Sequence, residues 1–173
     1  FGTQGGNRLG IPGETPDLKR CYFAIDFLKA HQRGTPLQLG RNVVIVGGGF
    51  TAVDSARNCL RRGADKVLMV YRRTKEEMTS IPEEVYEAEE EGLRVLYLVS
   101  PVEILQTNGD ITGLRLRSNV LGIARGHDKR RPPEAVDGAE FVVPCDTVIV
   151  AVSQHVADEL KTAGLPLTRQ GTL

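Results

Sequence analysis

The segment Asn42-Val43-Val44-Ile45-Val46 runs straight into Gly47-Gly48-Gly49, and Ala52, Val53, Ala56 and Leu60 then recur at helical spacing as far as Arg62-Gly63. A β-branched apolar run, an abrupt glycine turn and an amphipathic helix read as strand, tight turn, helix. Lys66 to Tyr71 (KVLMVY) is a second apolar strand, and near-continuous apolar character in both strands suits a parallel sheet covered on its two faces. A βαβ unit is therefore complete by residue 71. Within it, Gly47-x-Gly49-x-x-Ala52 matches a phosphate-binding glycine pattern in the context that gives the pattern meaning, after a strand and opening a helix. Gly47 permits the sharp turn, Gly49 lets the backbone approach a pyrophosphate, and Ala52 lets the helix pack close to the strand. The amides of Phe50 to Val53 point at the anion with the helix dipole behind them, and Thr51 adds a hydroxyl donor. The competing reading is a glycine-rich turn in a sheet that binds nothing.

Where a chain of this kind holds NAD, an acidic residue about 20 positions on grips the adenosine ribose. Here Tyr71-Arg72-Arg73 occupies that end of the second strand. Two guanidinium groups suit a 2′-phosphate through bidentate, charge-assisted hydrogen bonds, so NADP(H) is favoured over NAD(H). The alternative for the arginines is a pair of surface charges matched to Glu76 and Glu77, and Lys75 has two readings, a helper at the phosphate or a simply solvated charge, of which solvation is favoured. A methyltransferase has a similar glycine loop but wants an acidic residue at the second strand, which Arg72 and Arg73 replace.

The rest of the chain extends this frame. Residues 1–16 are rich in Gly and Pro and read as irregular connection. From Pro16-Asp17 a helical pattern runs through Cys21, Ile25, Phe27 and Leu28 to Gly34, with Asp17 as its cap. Pro82 opens another helix, PEEVYEAEEEG, whose six glutamates form a solvated face, and Leu93 to Val99 make a third strand. After Pro101 the chain alternates apolar and polar about a reversal at Asn108-Gly109, a β-hairpin. The polar stretch Asn119 to Gly138 reads as a loop excursion in which Lys129, Arg130 and Arg131 are solvated. Asp146 to Val152 is a further apolar strand, followed by a weak helix, HVADELKTAG. The expected fold is a Rossmann-like, three-layer α/β domain: a parallel sheet, flanking helices and an antiparallel β-meander from residues 101–143.

Composition excludes several functions. With 22 Lys+Arg against 22 Asp+Glu, the chain has no global footprint for nucleic acid or an anionic membrane surface, and its apolar runs are far short of the ~20 residues a spanning helix needs. The segment FGTQGGNRLGIPGE is not a signal peptide, and Cys21, Cys59 and Cys145 contain no CxxC pair, so a cytoplasmic location is expected. Cys59 and Cys145 read as small buried hydrophobes. His31, His127 and His155 are too scattered to form a metal or catalytic set.

RLGIPGE (8–14), AIDFL (24–28), VVIVGGGFTAVDSAR (43–57), VYRRTKEEM (70–78), the PEEVYEAEEEG helix and CDTVIVAVSQ (145–154) follow one another in a telling order. Together they resemble the pyridine-nucleotide domain of the small (beta) subunit of NADPH-dependent glutamate synthase and of related FAD-dependent oxidoreductases, including dihydropyrimidine dehydrogenase. In that family this domain is inserted into a split FAD-binding domain with its own amino-terminal GxGxxG and carboxyl-terminal GD motifs, neither of which occurs in this sequence. The resemblance implies that residues 1–16 and 154–173 connect to an FAD-binding domain of the same parent chain, with 17–153 as the NAD(P)-binding domain. It implies that Gly47, Gly48, Gly49, Phe50, Thr51 and Ala52 hold the pyrophosphate and Arg72 and Arg73 the 2′-phosphate. Thr79 would lie near that end, and Ala151, Val152 and Ser153 would approach the nicotinamide. NADPH would then pass hydride to FAD, and electrons would go on to iron–sulfur centres or another acceptor, in an added domain or a large subunit. The chain alone is not expected to turn over. A non-catalytic nucleotide-sensing or docking module is the alternative. Two positions depart from the family: Phe50 stands where Asn or Asp usually follows the glycines, and Ser153 where Gly is usual.

Overall fold

The computed structural model describes residues 3–124 and 130–156. In chain order the elements are β1 (Thr3–Gly6), β2 (Cys21–Phe23), α1 (Ala24–Gln32), β3 (Asn42–Val46), α2 (Phe50–Arg61) and β4 (Lys66–Tyr71). A single 3₁₀ turn (Lys75–Glu77) precedes α3 (Pro82–Glu90), and then come β5 (Leu93–Tyr97), β6 (Val99–Thr107), β7 (Asp110–Leu121), β8 (Pro133–Val143), β9 (Thr147–Val150) and β10 (Gln154–Val156). The central sheet is parallel throughout, in the order β2-β9-β3-β4-β5. From β3 the chain winds outward through β4 to β5, then returns to lay β9 on the other side of β3. β3 is thus the switch point, where an open α/β sheet forms a crevice at the carboxyl ends of its strands.

Alternation along these strands divides the interior in two. Val43, Ile45, Val67, Met69 and Ile149 face Phe27 of α1, Ala52, Val53, Ala56 and Cys59 of α2, and Val85 and Ala88 of α3. Val44, Val46, Val70, Val148 and Val150 face the antiparallel sheet β6-β7-β8 through Ile104, Ile111, Leu114 and Leu116. Both faces are dry, which is why the parallel strands read as continuous apolar runs. Helices α1, α2 and α3 lie on one face and the meander forms the third layer. Glu87 of α3 and Glu91 at its C-cap reach Arg57 of α2, at 3.2 and 2.5 Å, so part of the predicted solvated face bridges two helices.

Four sequence expectations are corrected. The first helix starts at Ala24, not at Asp17. Arg20 adopts φ +57°, its Nε donates to the Asp146 carbonyl at 3.0 Å, and Cys21–Phe23 then pair with Val148–Val150 at the sheet edge. Helical spacing and a short edge strand overlap here, and the pairing with β9 decides. Second, residues 3–6 are not irregular: they form an antiparallel ribbon with Gln154–Val156, which supplies partners for their backbone groups. Val156 and its two predecessors are therefore strand, and the rest of the predicted HVADELKTAG helix lies outside the described residues. Third, the strand from Leu93 breaks at Leu98, whose φ of +57° turns the chain into the meander, so that layer begins at Val99 rather than 101. Fourth, the excursion at 119–138 is mostly strand, because β7 runs to Leu121 and β8 begins at Pro133. β8 is an edge strand with largely exposed side chains, and Asp137-Gly138, the glycine at φ +70°, interrupts its apolar alternation.

Cys59 and Cys145 are buried, at 0% and 5% exposure, and burial pushes both thiols up to about 12, with Cys21 at about 11. All three are protonated near neutral pH, and a thiol is a poor nucleophile. An aromatic disulfide reagent at pH 8 is expected to leave Cys59 and Cys145 unmodified in the folded protein while the denatured chain takes up three equivalents. Prompt labelling of Cys59 in the folded state would contradict the packing of α2.

Candidate functional site

The turn after β3 is held by backbone on three sides. Gly47 has φ +147° and donates its N–H to the Val70 carbonyl at 3.0 Å, and a Cβ there would lie 2.4 Å from the Ala151 carbonyl oxygen at the end of β9. Only glycine satisfies both the dihedral and the contact. Gly48 is constrained differently, since a Cβ there would sit 2.5 Å from the Tyr71 ring. Its carbonyl accepts from the Thr79 amide and the Ser80 hydroxyl, each at 3.3 Å, while the Tyr71 hydroxyl donates to the Glu77 carbonyl at 2.6 Å. The segment after β4 is thereby fastened beneath the turn. Gly49 has more room, the nearest atom to a Cβ being Thr79 Oγ1 at 3.0 Å.

Gly49 is the N-cap of α2 and provides no side-chain acceptor, and the first turn of α2 carries no acidic residue. The positive end of the helix dipole is consequently not offset by any acidic residue of the first turn of α2. It opens into a cavity of about 860 Å³ at the carboxyl ends of β3, β4 and β9. That volume lies in the ~300–1,000 Å³ range of ligand pockets. Of the residues singled out in the sequence, Gly47 to Thr51, Arg72, Arg73, Thr79 and Ala151 to Ser153 all line it. Ala52 does not; it is fully buried in the interior between α2 and the sheet, where it sets their approach. Phe50 is 48% exposed at the cavity rim. Ser153 is engaged, accepting at Oγ from Asn7 Nδ2 at 2.7 Å while its carbonyl accepts the Asn7 amide at 3.2 Å.

Arginines gather at the β4 end of this cavity. Arg72 is exposed and Arg73 is buried, and both line the cavity together with Arg130. The alternative pairing with Glu76 and Glu77 does not form. Arg73 Nε donates to the Arg131 carbonyl at 2.7 Å, and Glu77 accepts instead from Arg131 Nε at 2.7 Å and from the Thr74 amide and hydroxyl at 3.2 and 2.9 Å. Asn119, buried in β7, donates from Nδ2 to the Arg72 carbonyl at 3.2 Å and to Ser100 Oγ at 2.8 Å, which fixes the Arg72 backbone against the meander. Burial, the Arg73 charge and the Arg130 charge hold the Arg72 guanidinium below its ordinary pKa, though it stays cationic. Like charges grouped in a cleft make a local positive potential in a chain of zero net charge.

Reading Arg130 and Arg131 as loop solvation is therefore corrected: one lines the cavity and the other ties into Glu77, while Lys129 lies outside the described residues. Sequence reasoning also missed Asn7, Arg8 and Ser100, which reach the site from distant parts of the chain. No local spacing signals such contacts. Of the histidines, His31 is exposed on α1, His127 lies outside the described residues, and only the backbone of His155 is described. No helix among the described residues is long and apolar enough to cross a membrane.

A parallel sheet whose switch point meets a glycine turn and a bare helix N-terminus, with cations at the neighbouring strand's end, defines an α/β domain of the dinucleotide-binding type. The family model described as pyridine nucleotide-disulphide oxidoreductase matches residues 2–173, and the chain belongs to that family. It is 39% identical over 172 residues to the NADPH-Fe(3+) oxidoreductase subunit beta of Geobacter sulfurreducens, covering 95% of this chain and 25% of that protein. It is 34% identical over 151 residues to the glutamate synthase [NADPH] small chain of Azospirillum brasilense, covering 86% of this chain and 31% of that one. The chain thus spans about a quarter to a third of the curated relatives it matches. Among solved structures, Mycobacterium tuberculosis FprA in complex with NADPH superposes with a TM-score of 0.77 at 21% identity, covering 100% of this chain and 52% of that one. At that identity the likeness is one of fold. The resemblance drawn from the sequence motifs agrees with these relatives.

Proposed function

We propose that this domain is the NADP(H)-binding module of a flavin-dependent oxidoreductase, holding the nucleotide for hydride transfer to FAD. The carrying observation is the grouping of Arg72, Arg73 and Arg130 in the same cavity as the glycine turn, with Glu77 committed to Arg131. The residues fit the group by three tests. The cavity has the volume of a ligand site, the bare N-terminus of α2 suits a pyrophosphate, and the arginines suit a 2′-phosphate. In this reading the turn from Gly47 to Thr51 binds the pyrophosphate, with Ala52 behind it. Arg72 and Arg73 bind the 2′-phosphate beside Thr79, and Ala151, Val152 and Ser153 border the nicotinamide. When bound, the nucleotide supplies the hydride, and the protein supplies position and water exclusion.

The flavin belongs to a further part of the parent protein, reached through residues 1–16 and 154–173, with 17–153 as the binding domain. Pairing of β1 with β10, which brings these two segments side by side, supports that reading. The names of the relatives support NADPH as donor, and onward transfer to iron–sulfur centres rests on the resemblance of the sequence motifs alone. Three free thiols fit a reducing cytoplasm.

Calorimetric titration of the protein with NADPH and with NADH tests the reading. NADPH is expected to bind at least tenfold more tightly, about 1.4 kcal/mol. Equal affinities would remove the role given to the arginines.

A further inference from the structure

The connection between β7 and β8 delivers Arg130 to the β4 end of the cavity. Gly122 N–H bonds the Pro132 carbonyl at 2.9 Å, closing the base of the connection. Beyond that closure the chain is held to the 3₁₀ turn after β4 by a latch. Arg131 Nε donates to Oε1 of Glu77 at 2.7 Å, and the Arg131 carbonyl accepts from Arg73 Nε at 2.7 Å. Glu77 is itself only 8% exposed, and its other oxygen is used by Thr74, so its carboxylate is fixed before Arg131 meets it. A buried carboxylate held by hydrogen bonds at both oxygens is a rigid anchor, unlike an exposed ion pair. The neighbour of the latched residue, Arg130, then lines the cavity beside Arg72 and Arg73.

The Arg73 and Arg130 charges both act against the Arg72 guanidinium in this corner of the cavity, and the neutral 2′-hydroxyl of NADH would not relieve that repulsion. A phosphate monoester, carrying about −1.5 to −2 charges near neutral pH, would. The pyrophosphate is already served by the glycine turn. Resting on the proposed NADP(H) function, we infer that Arg130 is a third specificity-determining residue for the 2′-phosphate, and that the Arg131–Glu77 latch positions it. The meander layer, in addition to covering the sheet, contributes to nucleotide choice.

The test is calorimetric titration with NADPH and NADH, at one fixed salt concentration, of the wild type, Arg130→Ala, Glu77→Gln, the double variant of these two, and Arg72→Ala. Arg130→Ala is expected to weaken NADPH about tenfold and to leave NADH within twofold, since Arg130 is exposed and lines the corner of the cavity that holds Arg72 and Arg73. Glu77→Gln is expected to weaken NADPH severalfold, with NADH unchanged, and to add nothing in the Arg130→Ala background. Thermal melts of each variant separate this from unfolding, because a merely structural effect of Glu77 would lower both affinities together.

If Arg130→Ala leaves NADPH binding intact while Arg72→Ala weakens it, the inference is overturned and the NADP(H) reading stands. If Arg130→Ala weakens both nucleotides equally, Arg130 serves the pyrophosphate and the inference is again overturned. Additive losses in the double variant would overturn the latch, placing the effect of Glu77 on Arg73 instead. A wild type that does not discriminate between the nucleotides overturns the functional reading itself, and the inference with it.

Discussion

Replacing Arg72 and Arg73 together by alanine is expected to weaken NADPH binding about a hundredfold while leaving NADH within a factor of two. Hydrogen bonds to charged groups contribute roughly 1.5–3 kcal/mol each. Two of them lost at one phosphate give about 3 kcal/mol, which is about a hundredfold in affinity. The two positions differ in kind. Arg72 is exposed and its guanidinium has no carboxylate partner among the described residues, so Arg72→Ala alone should change affinity and leave the melting temperature within a degree or so of wild type. Arg73 is buried and its Nε holds the Arg131 carbonyl, so Arg73→Ala should lower both affinity and stability. Titration beside thermal melts reads both effects at once. An equal loss for NADPH and NADH would mean that the arginines support the loop rather than recognise the phosphate.

The central βαβ unit was legible because its signals are local. Val43 to Val46 are dry on both faces, so the strand shows as an unbroken apolar run, and the glycine turn and helix follow within a few residues. The arginines were legible for the same reason, since they adjoin the strand they terminate. What the sequence hid was decided by partners far along the chain. Cys21–Phe23 carry helical spacing and still form a strand because β9, more than 120 residues on, supplies the ladder. The apolar alternation of β8 is broken at Asp137-Gly138 and most of its side chains are exposed, and Gly5 and Gly6 look like linker until β10 pairs with them. At the site, Arg130 reads in the sequence as one of several loop cations, and its place in the cavity lining, next to Arg131 held by Glu77, distinguishes it. The assignment of the glycines was legible in outline but not in detail. Gly48 falls at the variable position of the pattern, yet a Cβ there would strike the Tyr71 ring, a constraint set by the second strand's last residue.

That distinction among the glycines gives the other large effect, because Gly47 and Gly49 serve different ends and alanine at each should separate them. At Gly47 the backbone has φ +147°, and an alanine Cβ would sit 2.4 Å from the Ala151 carbonyl oxygen and 2.9 Å from its carbon. Neither atom can rotate away, since Ala151 N–H bonds the Val46 carbonyl at 2.8 Å and ties the end of β9 to β3. Relief requires parting two central strands or abandoning the turn. Strained dihedrals cost of order 1–3 kcal/mol and a backbone clash adds to that, so Gly47→Ala is expected to cost about 3 kcal/mol or more. In a chain of this size that lowers the melting temperature by about 6–12 °C. Gly49 has φ −107°, open to any residue, and its alanine Cβ would meet only the Thr79 hydroxyl at 3.0 Å, a side-chain tip that can turn. Gly49→Ala should therefore cost less than about 1 kcal/mol of stability, within the range of ordinary single substitutions. Its methyl group would stand on the cavity side of the helix N-terminus, where the pyrophosphate is proposed to approach, and nucleotide binding should fall at least tenfold in a protein that melts almost normally. Thermal melts and NADPH titrations of the two variants read the separation directly. A Gly49→Ala protein that binds NADPH as wild type does would show that the pyrophosphate lies elsewhere, and a Gly47→Ala protein of normal stability would show that β9 does not press against the turn.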